Sequence, residues 1–144
     1  VGITTELIAK ALPYAEIIAL DYDAAQIREA QKRKLKNVTF VVGDAAHLHF
    51  PEEHFDTVIQ VLAFHHIPEY QKAMKEAYRV LKKGEHFIML DMTGKLVNPL
   101  HFWLQIQPAE FTQKAFLQDL EHAGFQILKK KGPDIYLFVD SVKR

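Results

Sequence analysis

Residues 16–30 read EIIALDYDAAQIREA, and this stretch decides the fold. Glu16 to Leu20 is a short apolar run suited to a buried strand, and it stops at Asp21, where polar residues resume. Asp23 then precedes Ala24, Ala25 and Gln26 in a capping-box spacing. Its carboxylate can accept from free backbone amides while Gln26 reaches back. A strand, an acidic tip and a capped helix in that order point to an α/β layer fold around a largely parallel sheet.

The same alternation extends in both directions. Upstream, Thr5 to Leu12 sets Leu7, Ile8, Ala11 and Leu12 at helical spacing, and Pro13 stops the helix. Downstream, VTFVV (Val38 to Val42) is a β-branched strand ending at Gly43 after a Lys36-Asn37 turn, and Phe55 to Leu62 is another strand. The polar stretch between them, Asp44 to Asp56, reads as mostly loop. Pro68 opens a helix whose apolar face is Tyr70, Ala73, Met74, Ala77, Tyr78 and Leu81, closed by Lys82, Lys83 and Gly84. HFIMLD (His86 to Asp91) is a central strand, and Thr112 to His122 a helix ending at Gly124. Phe125 to Leu128 and Ile135 to Val139 make a terminal hairpin around a Lys129 to Asp134 turn.

Composition narrows the functional classes. With 144 residues, 49% of them hydrophobic, the chain reads as one folded domain over residues 1–144 rather than a disordered segment. Eighteen basic against 18 acidic side chains leave no net charge, which argues against a nucleic-acid or anionic-membrane partner. The absence of cysteine excludes a disulfide framework, thiolate metal ligands and a cysteine nucleophile, and favours a cytoplasmic protein. Apolar runs such as Phe87 to Leu90 fall far short of the roughly 20 residues that span a bilayer, so no integral membrane segment is expected. His47, His49, His54, His65 and His66 share one stretch, but their spacing fixes no third ligand, and no metal is expected. The Lys129-Lys130-Lys131 run reads as a solvated turn.

In a doubly wound sheet, ligands bind beyond the carboxyl ends of the strands, so polar residues just after apolar runs are the ones to weigh. Asp21, Asp44 and Asp91 each hold such a place. Asp21 lies about 20 residues beyond Gly2, the spacing at which an acid in dinucleotide sites reaches a ribose, and a carboxylate can accept from both hydroxyls of a diol. Asp44 could accept from an exocyclic amine such as that of adenine. The plainer readings are a strand terminator for Asp21, a turn residue for Asp44 and ordinary core packing for the aromatics near residue 102.

Gly2-Ile3-Thr4-Thr5, IIALDYD, VVGDA, FDTVIQVLAFHHI, AYRVLKKGEHFIMLD and AGFQI stand in the order and spacing of one known family. In them the chain resembles the class I S-adenosylmethionine-dependent methyltransferases, in particular the small-molecule branch similar to ubiquinone and menaquinone biosynthesis enzymes. The resemblance implies a Rossmann-like three-layer sandwich with a mostly parallel sheet and a terminal antiparallel hairpin. It also implies that the family's first strand and most of its glycine-rich loop have no counterpart, so that two strand edges stand unpaired and these residues alone bind the cofactor weakly.

Carried over residue by residue, the resemblance implies that Gly2 approaches S-adenosylmethionine, Asp21 holds its ribose, Asp44 with Ala45 contacts adenine, and Gln60 sits near the methionyl part. Residues 95–111 would form a substrate lid, with Phe102 and Trp103 against a small apolar or aromatic acceptor. Methyl transfer from a sulfonium needs alignment more than a nucleophile, and His65, His66 and His101 are the candidate bases for a hydroxyl acceptor. Expected partners are a small-molecule substrate and either a second copy of the chain or a strand-completing partner chain. Two other readings compete: a nicotinamide-dependent Rossmann oxidoreductase, and a degenerate methyltransferase-like module that binds or dimerises without catalysis.

Overall fold

The computed structural model describes residues 2–93, 112–133 and 135–144. They divide into two compact units, Val1–Leu48 and His49–Arg144. No helix among the described residues is long and apolar enough to cross a membrane.

The first unit consists of α1 (Ile3–Ala11), β1 (Ile17–Asp21), α2 (Ala24–Gln31) and β2 (Val38–Val42). β1 and β2 pair in parallel, from Ile17 opposite Val38 to Asp21 opposite Val42. The α1 helix starts at Ile3, two residues before the expected Thr5, because Gly2 takes a left-handed N-cap conformation with φ of 68° and its carbonyl accepts from the Glu6 amide at 2.9 Å. At the other end Pro13 cannot continue the helix. The Asn37 side-chain amide collects the carbonyls of Ala9, Leu12 and Ala15 at 3.1 to 3.3 Å, taking up acceptors that the helix end would leave open. Glu6 pairs with Lys10 one turn on in α1 at 2.7 Å and ties the helix to Arg33 just after α2.

The second unit is a four-stranded sheet in the order β3-β4-β6-β5. Its strands are β3 (Phe55–Val61), β4 (Leu81–Met92), β5 (Phe125–Lys131) and β6 (Tyr136–Lys143), with α3 (Tyr70–Val80) before β4 and α4 (Gln113–His122) before β5. β3 and β4 run parallel, while β6 is antiparallel to both β4 and β5. Alternate residues Phe87, Met89 and Asp91 of β4 and Leu137, Val139 and Ser141 of β6 are fully buried on one face. Ala73, Met74, Ala77 and Val80 form the buried stripe of α3. An aromatic chain links the elements: Phe64 lies 6.2 Å from Phe87 and 5.9 Å from Phe116 of α4, and Phe87 lies 5.0 Å from Phe125 of β5.

Two sequence expectations are corrected here. The helical periodicity through Leu81 to Gly84 is overruled: α3 ends at Val80, and Leu81, fully buried, already pairs with Phe55 in the sheet. The buried Lys143 ammonium bonds the carbonyls of Leu81 at 2.8 Å and Arg79 at 3.4 Å, placing a cation where the helix needs one. The helix also begins at Tyr70, two residues after Pro68. In the terminal hairpin the lysine run is strand, not turn, for Lys129, Lys130 and Lys131 pair with Asp140, Val139 and Phe138. Gly132 makes the tight turn: with φ of 140°, an added Cβ there would stand 2.1 Å from the Tyr136 carbonyl oxygen.

Among the described residues β1 has an unpaired edge in the two-stranded sheet and β3 one in the four-stranded sheet, as do β2 and β5 at the other ends. Ile18 of β1 and Ile59 of β3 stay 38% and 39% exposed, so apolar side chains as well as backbone groups remain uncovered there.

Two outcomes test this account. Gly132→Ala should destabilise by about 1–3 kcal/mol, since the new methyl must displace backbone, and a urea midpoint unchanged from the parent would contradict the turn. The Glu6 carboxyl is held below its ordinary range by hydrogen bonds from Lys10 and then Arg33. A lowered folded pKa contributes stability above the ordinary glutamate value and loses it as pH falls through the folded one. Glu6→Gln should therefore flatten the acid limb of stability against pH, read by urea titration at several pH values.

Candidate active site

At the carboxyl end of the β1–β2 pair, Asp21 Oδ1 accepts from the Asp23 backbone amide at 2.9 Å, and Asp23 Oδ1 accepts from Ala25 N at 2.7 Å. Asp23 caps α2 as its spacing predicts. The return bond, however, comes from Asp21 rather than Gln26, because Asp21 ends the strand directly before the cap. Asp21 is exposed, and among the described residues its Oδ2 accepts nothing. Gly2, Asp21 and Gln26 line one small cleft. An added Cβ at Gly2 would stand 3.0 Å from Ala30 Cβ, so both its left-handed φ and the close approach of α2 call for glycine.

Asp44 stands two residues past Val42, whose partner in the ladder is Asp21. The two acids therefore sit at the same end of adjacent parallel strands. Asp44 Oδ1 accepts from Ala46 N at 2.8 Å and Oδ2 faces His47 Nδ1 at 3.0 Å. It thus builds the turn that presents Ala45, half-buried, and Ala46, buried.

The second unit holds the denser chemistry. Asp91, on the helix-covered face of β4, is fully buried, and an ionised carboxylate survives there only if donors replace its water. Four do. Oδ1 accepts from Met92 N at 2.7 Å and from His65 Nδ1; Oδ2 accepts from Gln60 Nε2 at 2.8 Å and Phe64 N at 2.9 Å. A carboxylate offers about four lone-pair positions, so the group is saturated from inside and has none for a ligand.

Gln60, 7% exposed near the end of β3, has its amide orientation set by that carboxylate: the nitrogen must face Asp91, which turns Oε1 away. This oxygen is buried and accepts no hydrogen bond among the described residues. Beyond β3, Leu62 takes φ of 52° and donates its amide to the Leu90 carbonyl at 2.8 Å. A left-handed leucine costs of order 1 kcal/mol or more. The bend returns the chain as a one-turn 3₁₀ helix, Phe64–His66, whose Phe64 ring enters the core while its amide and the His65 ring bond Asp91.

His65 is buried and His66 is exposed, with ring centroids 3.9 Å apart. They form a turn separate from β3, because Leu62 breaks the extended run. His101, Phe102, Trp103 and the lid at 95–111 lie outside the described residues. Among the predicted positions, the structure groups Gly2 with Asp21, sets Asp44 and Ala45 at the neighbouring tip, and joins Gln60 to His65 through Asp91. That junction was missed in sequence. Its signal was an acid closing the apolar run FIML, a position that demands buried donors nearby.

A family model for the methyltransferase domain matches residues 1–89. The rice (Oryza sativa subsp. japonica) chloroplastic 2-methyl-6-phytyl-1,4-hydroquinone methyltransferase 2 is 32% identical over 145 residues, covering 94% of this chain and 40% of that protein. The demethylmenaquinone methyltransferase of Thermotoga maritima is 31% identical over 105 residues, covering 67% of this chain and 45% of that one. The chain thus spans less than half the length of these relatives. The solved S-adenosylmethionine dependent methyltransferase of Mesorhizobium loti aligns with a TM-score of 0.80 at 16% identity, over 96% of this chain and 85% of that one, a likeness of fold. The matched residues take in Gly2, Asp21, Asp44 and Gln60 and cover more than half of the chain, and on that match it belongs to the class I S-adenosylmethionine-dependent methyltransferase family.

Proposed function

We propose that the protein carrying this chain transfers a methyl group from S-adenosylmethionine to a small aromatic acceptor of hydroquinone type. The observation that carries this reading is the buried Oε1 of Gln60, an acceptor with its direction fixed and no donor within the described residues. An unmet buried acceptor costs about 1–3 kcal/mol, and the ammonium of a methionyl group is a donor of the right charge to meet it. Asp21, with an oxygen open at the tip of β1, suits the ribose diol. Asp44 and Ala45 on the neighbouring tip would hold the adenine, and Gly2 would let the backbone come close.

When bound, S-adenosylmethionine supplies an electrophilic methyl group on a sulfonium. The chain's own part is to hold and orient, exclude water and take up a proton. A hydroquinone hydroxyl becomes a far better electron donor once deprotonated, and of the candidate histidines we assign the base to His65. Its Nδ1 faces a carboxylate that can only accept, so that nitrogen carries the proton and Nε2 is the basic one. His66 stands exposed beside it. His101 remains a candidate by sequence alone, and residues 95–111 with Phe102 and Trp103 are proposed to cover the acceptor. Hydroquinone and menaquinone-type names among the relatives support that substrate class. The unpaired edges of β1 and of β3, each in its own sheet, support the addition of a further strand, from the same protein or from a partner chain.

Calorimetry on the full-length protein with S-adenosylhomocysteine tests the reading. Asp21→Ala should weaken binding about tenfold or more, the loss of a charge-assisted bond, while unfolding shifts by only about 1 kcal/mol. Equal affinity in parent and variant, or tighter binding of NAD than of S-adenosylhomocysteine, would overturn it.

A further inference from the structure

The Asp91 carboxylate is fully buried, yet every donor it accepts belongs either to the backbone of the turn at the strand tips or to one of two functional side chains, Gln60 and His65. We infer that Asp91 is a positioning residue that sets the amide orientation of Gln60 and the tautomer of His65 together, so that one carboxylate joins the grip on the donor to the activation of the acceptor. This rests on the methyl-transfer reading above and extends it to a residue that touches neither substrate.

The argument is one of donor and acceptor matching. Oδ2 faces Gln60 Nε2, which leaves Oε1 as the outward group; Oδ1 faces His65 Nδ1, which leaves Nε2 basic. The backbone amides of Phe64 and Met92 hold the carboxylate itself, one on each oxygen, so it cannot rotate without losing both. Proton transfer then balances as follows. The acceptor O–H bond breaks, its proton passes to His65 Nε2, and the electron pair stays with the acceptor to form the bond to the methyl carbon. The pair of the broken S–C bond returns to sulfur. The imidazolium so formed keeps its Nδ1–H on the Asp91 carboxylate.

Asparagine at 91 cannot reproduce this. Its NH₂ must face either Gln60 with the Phe64 amide or His65 with the Met92 amide, and all of these are donors. In the first case the Gln60 amide turns over and presents NH₂ outward. In the second His65 Nδ1 becomes an acceptor and Nε2 takes the proton. Glutamine at 65, by contrast, still donates to Asp91 but has no basic nitrogen.

The test uses the full-length protein, with Asp91→Asn and His65→Gln compared by steady-state methylation of a short-chain hydroquinone, by S-adenosylhomocysteine calorimetry and by NMR of labelled histidine. Besides Asp91 on β4, the titratable groups on elements around the turn are His66, Glu69 paired with Lys72, and Tyr70 of α3 bonded to Asp119 of α4 at 2.5 Å. His65→Gln should lower kcat about 10²-fold, abolish the acid limb of the kcat profile and leave S-adenosylhomocysteine affinity within about twofold. Asp91→Asn should lower kcat comparably, and at saturating S-adenosylmethionine the double variant should turn over no more slowly than His65→Gln alone.

A parent-like acid limb in His65→Gln, or parent-like turnover in Asp91→Asn, would overturn the inference. Should Asp91→Asn fail to fold, His65→Gln and the parent spectrum still decide. A strongly deshielded proton on His65 Nδ1 in the parent supports the pairing, and a proton on Nε2 sinks it. That spectrum stands whether or not the parent binds S-adenosylhomocysteine, so failure of the methyl-transfer reading shows separately, as absent binding and turnover.

Discussion

A carboxylate in an apolar interior has to be surrounded by donors, and that requirement at Asp91 organises the second half of this chain. Four bonds converge on it from β3, from the turn after β3 and from β4 itself. Each hydrogen bond to a charged group contributes about 1.5–3 kcal/mol net, against several kcal/mol for stripping the ion of water. The balance closes only with all the donors present. The consequence is geometric: the turn Phe64–His66 has one place to sit, with Phe64 in the aromatic core below and His65 against the acid above.

Leu62 shows what opposes that arrangement. Its positive φ is unfavourable for a side chain branched at Cγ, and its side chain stays 42% exposed, so burial does not explain the conformation. The amide bond to Leu90 and the bonds of Phe64 and His65 to Asp91 do. Strain at a strand tip, offset by the bonds that the turn makes to a buried anion, keeps the turn close and Gln60 oriented. The same logic holds where chemistry is absent. Lys143 is buried because the last carbonyls of α3 need a cation, and its ammonium over the Tyr78 ring at 4.9 Å locks the end of β6 to the end of α3.

Much of this was legible in sequence, and the misses share a cause. Short apolar runs located β1, β2 and β3, and a polar cap located α2, since these signals are local. The end of α3 and the lysine run of β5 were misread because strand pairing decided them: Leu81 follows its ladder partner Phe55, and Lys129 its partner Asp140, against helical period and polarity. For the candidate site, Asp21 and Asp44 were singled out by their places at strand ends, and Gln60 by the family resemblance. Asp91 was seen as a strand-end acid like the others, although it differs from them in kind. Exposure separates them, and exposure follows from which face of the strand the helices cover, which one sequence does not state.

The three strand-tip acids thus divide by solvent. Asp21 and Asp44 are reached by solvent: Asp21 accepts from the Asp23 amide through one oxygen, and Asp44 accepts from the Ala46 amide and faces His47 Nδ1. Solvent does not reach Asp91, which acts through the side chains it holds. An acid with an open lone pair can recognise a diol or an amine directly, whereas a saturated one can only fix which atom its neighbours present. The two kinds thus hold equivalent places at strand ends and differ in whether solvent reaches them.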